Sequence, residues 1–402
     1  MNWREFFLTK HDARKDLFLL LTISTLYGVG IALSNTFVNI FIWKQSNSYI
    51  EIGIYNLIIV IFQPLTFFLA GFLTKKWNRV LVLRVGIFVL AVFYLIILIF
   101  KEEASSHLFL LGALLGTGYG FYWLAFNILT FEITEPETRK VFNSVQGALL
   151  SLVGMLAPLC SGFVITRMPN LHGYYIVFGI SLVMFLLGVI VSFFISHREM
   201  EGRYEIKEAF GETKRNANWK SLLQAHFFQG IREGSFFFLI SVLVFVSTNN
   251  ELALGTFSLI NSAISFICFS FATRFLNEKH SMRYIFIGGT LLYLSVLLLI
   301  FKITYINLLI YAGVISIGYS LVQVPYVTLT FDVMGKANNA RNFRVEYVVI
   351  REIFLNLGRI VSIILFLLFM KFGEEPWNLK ILLLIVGSGY FVMYFFVRKI
   401  RL

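Results

Sequence analysis

Apolar residues in this chain gather in long runs broken by short polar stretches. The first run, Leu17 to Trp43, is already long enough to cross about 30 Å of hydrocarbon as a helix. The pattern predicts spans over 17–43, 50–73, 80–100, 108–131, 143–166 and 174–196. A second set follows over 221–247, 252–275, 283–302, 304–331, 346–370 and 377–397. The expected fold class is therefore all-α integral membrane: twelve transmembrane helices in two six-helix bundles, with both termini on one side.

Between the two sets lies the only long polar stretch, HREMEGRYEIKEAFGETKRNANWK, from His197 to Lys220. Some two dozen residues cannot bury a core of their own, so the segment reads as a linker. The predicted organisation is an N-terminal bundle over 1–196, a cytoplasmic linker over 197–220 and a C-terminal bundle over 221–402. The polar opening MNWREFFLTKHDARKD runs into an apolar stretch far longer than a signal-peptide core, so the first helix is expected to be retained. Trp3, Phe6 and Phe7 fall at helical spacing among charges, as in a short interfacial helix, although a solvated tail fits equally well.

Composition agrees with the pattern. The chain is 58% hydrophobic and 14% charged, against about 45–50% and about 25% in soluble domains. The net charge of +12 suggests nucleic acid only until the basic residues are placed. Lys and Arg concentrate in the N-terminal tail, in alternate loops, in the linker and at the C-terminus, which is the positive-inside signature of cytoplasmic termini. The charge thus sets orientation, with acidic lipid headgroups as membrane-lipid partners and no nucleic acid. Cys160 and Cys268 lie inside apolar segments without metal or disulfide spacing and read as packing residues. No metalloprotease helix, phosphate loop or cysteine cluster is visible, so neither an enzyme nor a self-contained ATP-driven pump is expected. No cofactor or metal is expected either.

The halves repeat. GYGFYWLAFNILTFEI from Gly118 aligns with GYSLVQVPYVTLTFDV from Gly318, pairing Tyr119 with Tyr319 and Glu132 with Asp332. At nearly the same offset Gly53, Tyr55 and Leu57 meet Gly255, Phe257 and Leu259. Parallel halves related by an axis along the membrane normal are one repeat plan of secondary transporters, whose substrate site lies at the interface.

Between the second and third spans, GFLTKKWNRVLVL resembles the pattern G-x-L-x-D-R-x-G-R-x-x-x-L of the major facilitator superfamily. Gly71, Leu73, Lys76, Arg79 and Leu83 fit, while Lys75 stands at the acidic position and Asn78 at the second glycine. The resemblance implies a bacterial twelve-helix transporter, monomeric, in the cell membrane. It also implies a gating loop at Gly71, Lys76 and Arg79 that lacks its latching acid; a plain orientation loop is the alternative. In the fifth span GMLAPLCSG is similar to the G-P-x-x-G-G element of drug and proton antiporters, with Ala157 and Ser161 for glycines, which favours export; tight helix packing around Pro158 is the alternative.

Charges inside a bilayer are costly and by default mark pathways or paired networks. The seventh span carries Arg232 and Glu233 about twelve residues, roughly 18 Å, from its polar edge, near the midplane. His226, Gln229, Gly230 and Glu233 share one helical face, and Arg232 points about 100° away. Gly230 and Gly234 flank the pair and predict a bent or broken helix. In the eleventh span Glu352, Asn356 and Arg359 share a face, with Arg351 on a neighbouring stripe and Arg359 near the depth of Glu233.

Glu233, with Glu352 and His226, is the candidate for proton coupling; a fixed structural ion pair is the competing reading. Arg232, Arg351 and Arg359 outnumber the two deep glutamates, so one arginine is left to anchor an anionic group or to meet helix carbonyls or water, with Arg359 as the position to test. Asn35, Asn39, Tyr119, Trp123 and Asn127 from the first half, and Tyr319, Gln323 and Tyr326 from the second, are expected to line the cavity. Aromatic and amide walls suit an amphiphilic or drug-like small molecule. The expectation is proton-coupled export of such a solute, with a lipid or glycolipid flippase and a non-transporting sensor as open alternatives.

Overall fold

The computed structural model describes residues 11–76, 78–134, 136–196, 204–275, 278–337, 342–373 and 376–401. Trp3, Phe6 and Phe7, and the linker residues 197–203, lie outside them. Eleven stretches in the described residues are apolar and long enough to cross a membrane, one of them, Arg79–Thr130, being 52 residues long. At 1.5 Å per residue that stretch would run about 78 Å as one helix, more than twice the hydrocarbon thickness. It is two crossings, divided by the polar 3-10 turn Lys101–His107. The total is twelve crossings, as the hydrophobic pattern predicts.

The first half comprises α1 (His11–Ser46), α2 (Tyr49–Lys76), α3 (Arg79–Phe100), α4 (Leu108–Ile133), α5 (Pro136–Arg167) and α6 (His172–Ser192). Linker helix α7 (Ile206–Arg215) follows. The second half comprises α8 (Ala217–Thr248), α9 (Glu251–Phe275), α10 (Ser281–Phe301), α11 (Tyr305–Gly335) and α12 (Arg344–Lys371). Its last crossing breaks at Ser388 into α13 (Pro376–Gly387) and α14 (Gly389–Val397). Both α1 and α8 outrun their predicted spans because charged and amide-bearing turns continue the helix beyond the apolar run. Part of the expected linker is not loop: α7 buries Ala209 and Glu212, and Asn216 caps α8 by accepting the Trp219 N–H at 3.1 Å.

Among the described residues the halves meet chiefly along two helix pairs, α2 with α12 and α5 with α9. The glycines matched by the repeat hold both. A Cβ on Gly53 would come within 2.6 Å of Leu367, and one on Gly255 within 2.7 Å of the Pro158 carbonyl. Close backbone approach is how apolar helices associate where lipid offers no hydrophobic gain. The short sequence repeat therefore marks the crossings that bind one half to the other.

Candidate functional site: a charged cavity between the halves

A cavity of about 920 Å³ lies between the halves, with walls from α1, α2, α4, α8, α9, α11 and α12. Asn35, Tyr119, Trp123, Asn127, Tyr319, Gln323 and Tyr326 all line it. Asn39 is not among its walls. One turn beyond Asn35, it is 3% exposed and its Oδ1 accepts from Asn56 Nδ2 at 2.7 Å. Asn56, with Gln63 and Tyr27, lines the cavity instead.

Arg232 and Glu233 stand at the centre of α8. The face predicted there carries a hydrogen-bonded series: Gln229 Nε2 donates to Glu233 Oε1 at 2.9 Å, which turns the amide oxygen toward His226 Nδ1, 2.9 Å away. Nδ1 must therefore carry a hydrogen. Glu233 also accepts from Tyr390 Oη at 2.9 Å, and its Oε2 meets Arg359 Nη2 at 2.6 Å. Both members of this pair are 23% exposed at the side chain and line the cavity.

On α12, Arg351 and Glu352 pair at 2.6 Å and line the cavity toward the end where the chain termini lie. Asn356 is wholly buried and outside the cavity wall. Its Oδ1 accepts from Arg359 Nη1 at 3.3 Å, and its Nδ2 donates to the Glu352 carbonyl at 2.9 Å. It steadies Arg359.

Arg359, the anchor position expected from sequence, is thus taken by Glu233. Of the three deep arginines, the one without a carboxylate is Arg232, because its rotation around α8 turns it to α11 while Glu233 faces α12. Arg232 Nη2 donates to Tyr311 Oη at 2.9 Å, and its guanidinium lies 3.7 Å over the Phe236 ring.

The glycines of α8 do not break it. The helix is continuous through Gly230 and Gly234, and their role is approach: a Cβ on Gly230 would overlap the Leu355 carbonyl, and one on Gly358 the Phe227 carbonyl. The near-contact of the two backbones brings Glu233 and Arg359 within bonding distance.

The predicted gating residues lie away from the cavity. A Cβ on Gly71 would come within 2.8 Å of the linker's Tyr204, whose hydroxyl pKa is pushed upward by burial and by nearby Glu346. Lys76 lies 5.7 Å over the Phe72 ring, and Arg79 pairs with Glu132 at the end of α4. Asn78, in place of a glycine, caps α3 by accepting the Val80 N–H at 2.9 Å. The contact across the halves belongs to Lys75. Its Nζ meets Glu346 Oε1, in the first turn of α12, at 2.5 Å, and that oxygen also accepts the Glu205 N–H of the linker at 3.0 Å.

A second ion pair joins the halves at the opposite end, where Lys44, in the last turn of α1, meets Glu251 in the first turn of α9. Tyr174 Oη donates to Glu251 Oε1 at 2.9 Å. Both pairs set a lysine at a helix C-terminus against a glutamate at a helix N-terminus, the polarity each helix dipole favours.

Sequence reasoning missed Tyr311, Tyr390 and both cross-half pairs. For Lys75 a signal existed: a base where the pattern has an acid, facing a span that opens with an acid. Tyr390 had none, being one of 18 tyrosines.

Among the described residues, twelve apolar crossings enclose a cavity with one charged pair near mid-depth and another toward the end of the termini, the arrangement of a multi-pass membrane transporter. The chain belongs to the Major Facilitator Superfamily, whose profile matches residues 20–362. It is similar to an uncharacterized protein of Bacillus subtilis (strain 168), YqgE, at 53% identity over 390 residues, 97% of this chain and 91% of that one. An uncharacterized protein in the sodM 3' region of Geobacillus stearothermophilus is 51% identical over 169 residues, 42% of this chain and 79% of that one. The crystal structure of the E. coli fucose:proton symporter FucP has a similar fold, with a TM-score of 0.65 at 15% identity, covering 98% of this chain and all of that one.

Proposed function

We propose that this secondary transporter couples the export of an amphiphilic small molecule to proton movement, with Glu233 as the proton carrier. The observation that carries the reading is the Glu233–Arg359 pair, which faces the cavity at mid-depth and is joined through Gln229 to His226. A proton on Glu233 removes the charge that holds Arg359. Arg359 and Glu346 sit on the same continuous helix, so a shift at the pair reaches the Lys75–Glu346 contact through α12. Lys75–Glu346 at one end and Lys44–Glu251 at the other are contacts that must break for that end to part.

Export is favoured by the antiporter-like element around Pro158, which packs against α9 at the interface. Termini in the cytoplasm, a bacterial cell membrane and action as a monomer complete the reading, since one chain encloses the whole path. The test uses inside-out vesicles holding an acid interior, with purified protein and a panel of naphthyl amphiphiles. Protein-dependent loss of the pH gradient on adding a panel member is expected. No proton movement with any member overturns the coupling, and flux only in right-side-out vesicles overturns the direction.

A further inference from the structure

Among the described residues, five charged side chains line the cavity: Arg232, Glu233, Arg351, Glu352 and Arg359. Four of them close on each other, Arg359 with Glu233 and Arg351 with Glu352, each at 2.6 Å. The fifth is different. Arg232 is 7% exposed, its Nε is buried without a hydrogen-bond partner, and its contacts are a neutral hydroxyl and a ring face. Such contacts attract a guanidinium without cancelling its charge, and burying an unpaired ion is far costlier than burying a paired one. The cavity therefore has a positive pole at Arg232.

The wall contributed by the first half is neutral and flat. Tyr119 Oη donates to Asn35 Oδ1 at 3.0 Å, and Trp123 meets Tyr27 edge-on at 5.5 Å. A planar donor fork on one side and aromatic faces on the other suit a ligand with an oxyanion at one end and a flat apolar body.

We propose that Arg232 binds an anionic group, a carboxylate or a phosphate, of the transported molecule, whose body lies against Trp123 and Tyr119. This names the substrate class of the site and rests on the transport reading above. Arg232 would act by direct contact. The competing role is purely structural, tying α8 to α11 through Tyr311.

Equilibrium dialysis of the purified full-length protein in detergent, with no gradient, separates the two. The probes share one body: naphthoate, naphthyl phosphate, the uncharged naphthamide and the cationic naphthylmethylamine. At least one anionic probe is expected to bind tenfold or more tighter than naphthamide. Arg232→Gln should reduce the anions to the amide's affinity and leave naphthamide binding unchanged, which also reports an intact cavity. Arg232→Lys should keep part of the preference, and Tyr311→Phe nearly all of it. Should Arg232→Gln fail to fold, a carboxylate affinity lowered threefold or more by Arg232→Lys, with Tyr311→Phe near wild type, supports the same conclusion. Naphthoate against naphthyl phosphate identifies the anion.

Equal affinity for acid and amide, preference for the amine, an anion preference that survives Arg232→Gln, or no binding by any probe overturns the proposal. Because dialysis needs no gradient, anion binding without proton-coupled flux would overturn the transport reading alone. Flux of the amide or amine without anion preference would overturn this inference alone.

Discussion

Lys75→Ala is expected to destabilise the protein through one carboxylate. Glu346 is wholly buried at the side chain and Lys75 is 4% exposed, so solvent screening weakens neither charge. Breaking a buried pair by removing one partner costs about 3–5 kcal/mol, because the other charge is left buried and uncompensated. Glu346 retains the Glu205 N–H, which places the expected loss near the lower bound, at about 3 kcal/mol. The assay is a double-mutant cycle of Lys75→Ala and Glu346→Ala, read by equilibrium unfolding in mixed detergent micelles. The double variant should be less destabilised than the two singles added together, with a coupling of about 2–3 kcal/mol. Reversing the pair, with Lys75→Glu and Glu346→Lys together, should recover only part of the loss, since a lysine in the first turn of α12 opposes the helix dipole by about 0.3–1 kcal/mol. A coupling below about 0.5 kcal/mol would refute the reasoning, because it would mean the two residues act independently.

The opposite end should respond unequally: Lys44 is 32% exposed at the side chain, so Lys44→Met should cost under about 1 kcal/mol. Glu251→Ala should cost more by the same unfolding measurement, since it also strips the buried Tyr174 hydroxyl of its acceptor. Gly230→Ala should destabilise by about 1–3 kcal/mol or more by forcing α8 from α12. Gly211→Ala, with nothing within 4 Å of an added Cβ, should be neutral or stabilising by up to about 1 kcal/mol.

Much of this architecture was legible because a membrane writes itself into sequence as run length and charge placement. Helix-face arithmetic was equally direct: steps of three and four put His226, Gln229 and Glu233 in line, and the structure bonds them in series. Partnership across helices was not legible. Whether Arg232 or Glu233 faces Arg359 depends on how α8 rotates against α12, and that rotation is set by the Gly230 and Gly358 contact, which periodicity does not encode. Gly230 and Gly234 read as helix breakers in isolation because their loss of local stability is visible in sequence while the backbone they approach is not. Asn39 shows the converse error, since a polar residue in an apolar span satisfies itself on a neighbouring amide as readily as it faces a path.

Glu233→Gln in proteoliposomes decides whether Glu233 carries the coupled proton, by comparing exchange of labelled substrate at equal pH with accumulation driven by an imposed pH gradient. Glutamine keeps the shape and hydrogen-bonding capacity of the side chain but cannot carry the proton. Exchange is expected to persist while gradient-driven accumulation is lost. Accumulation at the wild-type level in the glutamine variant would contradict it and would leave the Glu233–Arg359 pair as a fixed structural tie between α8 and α12.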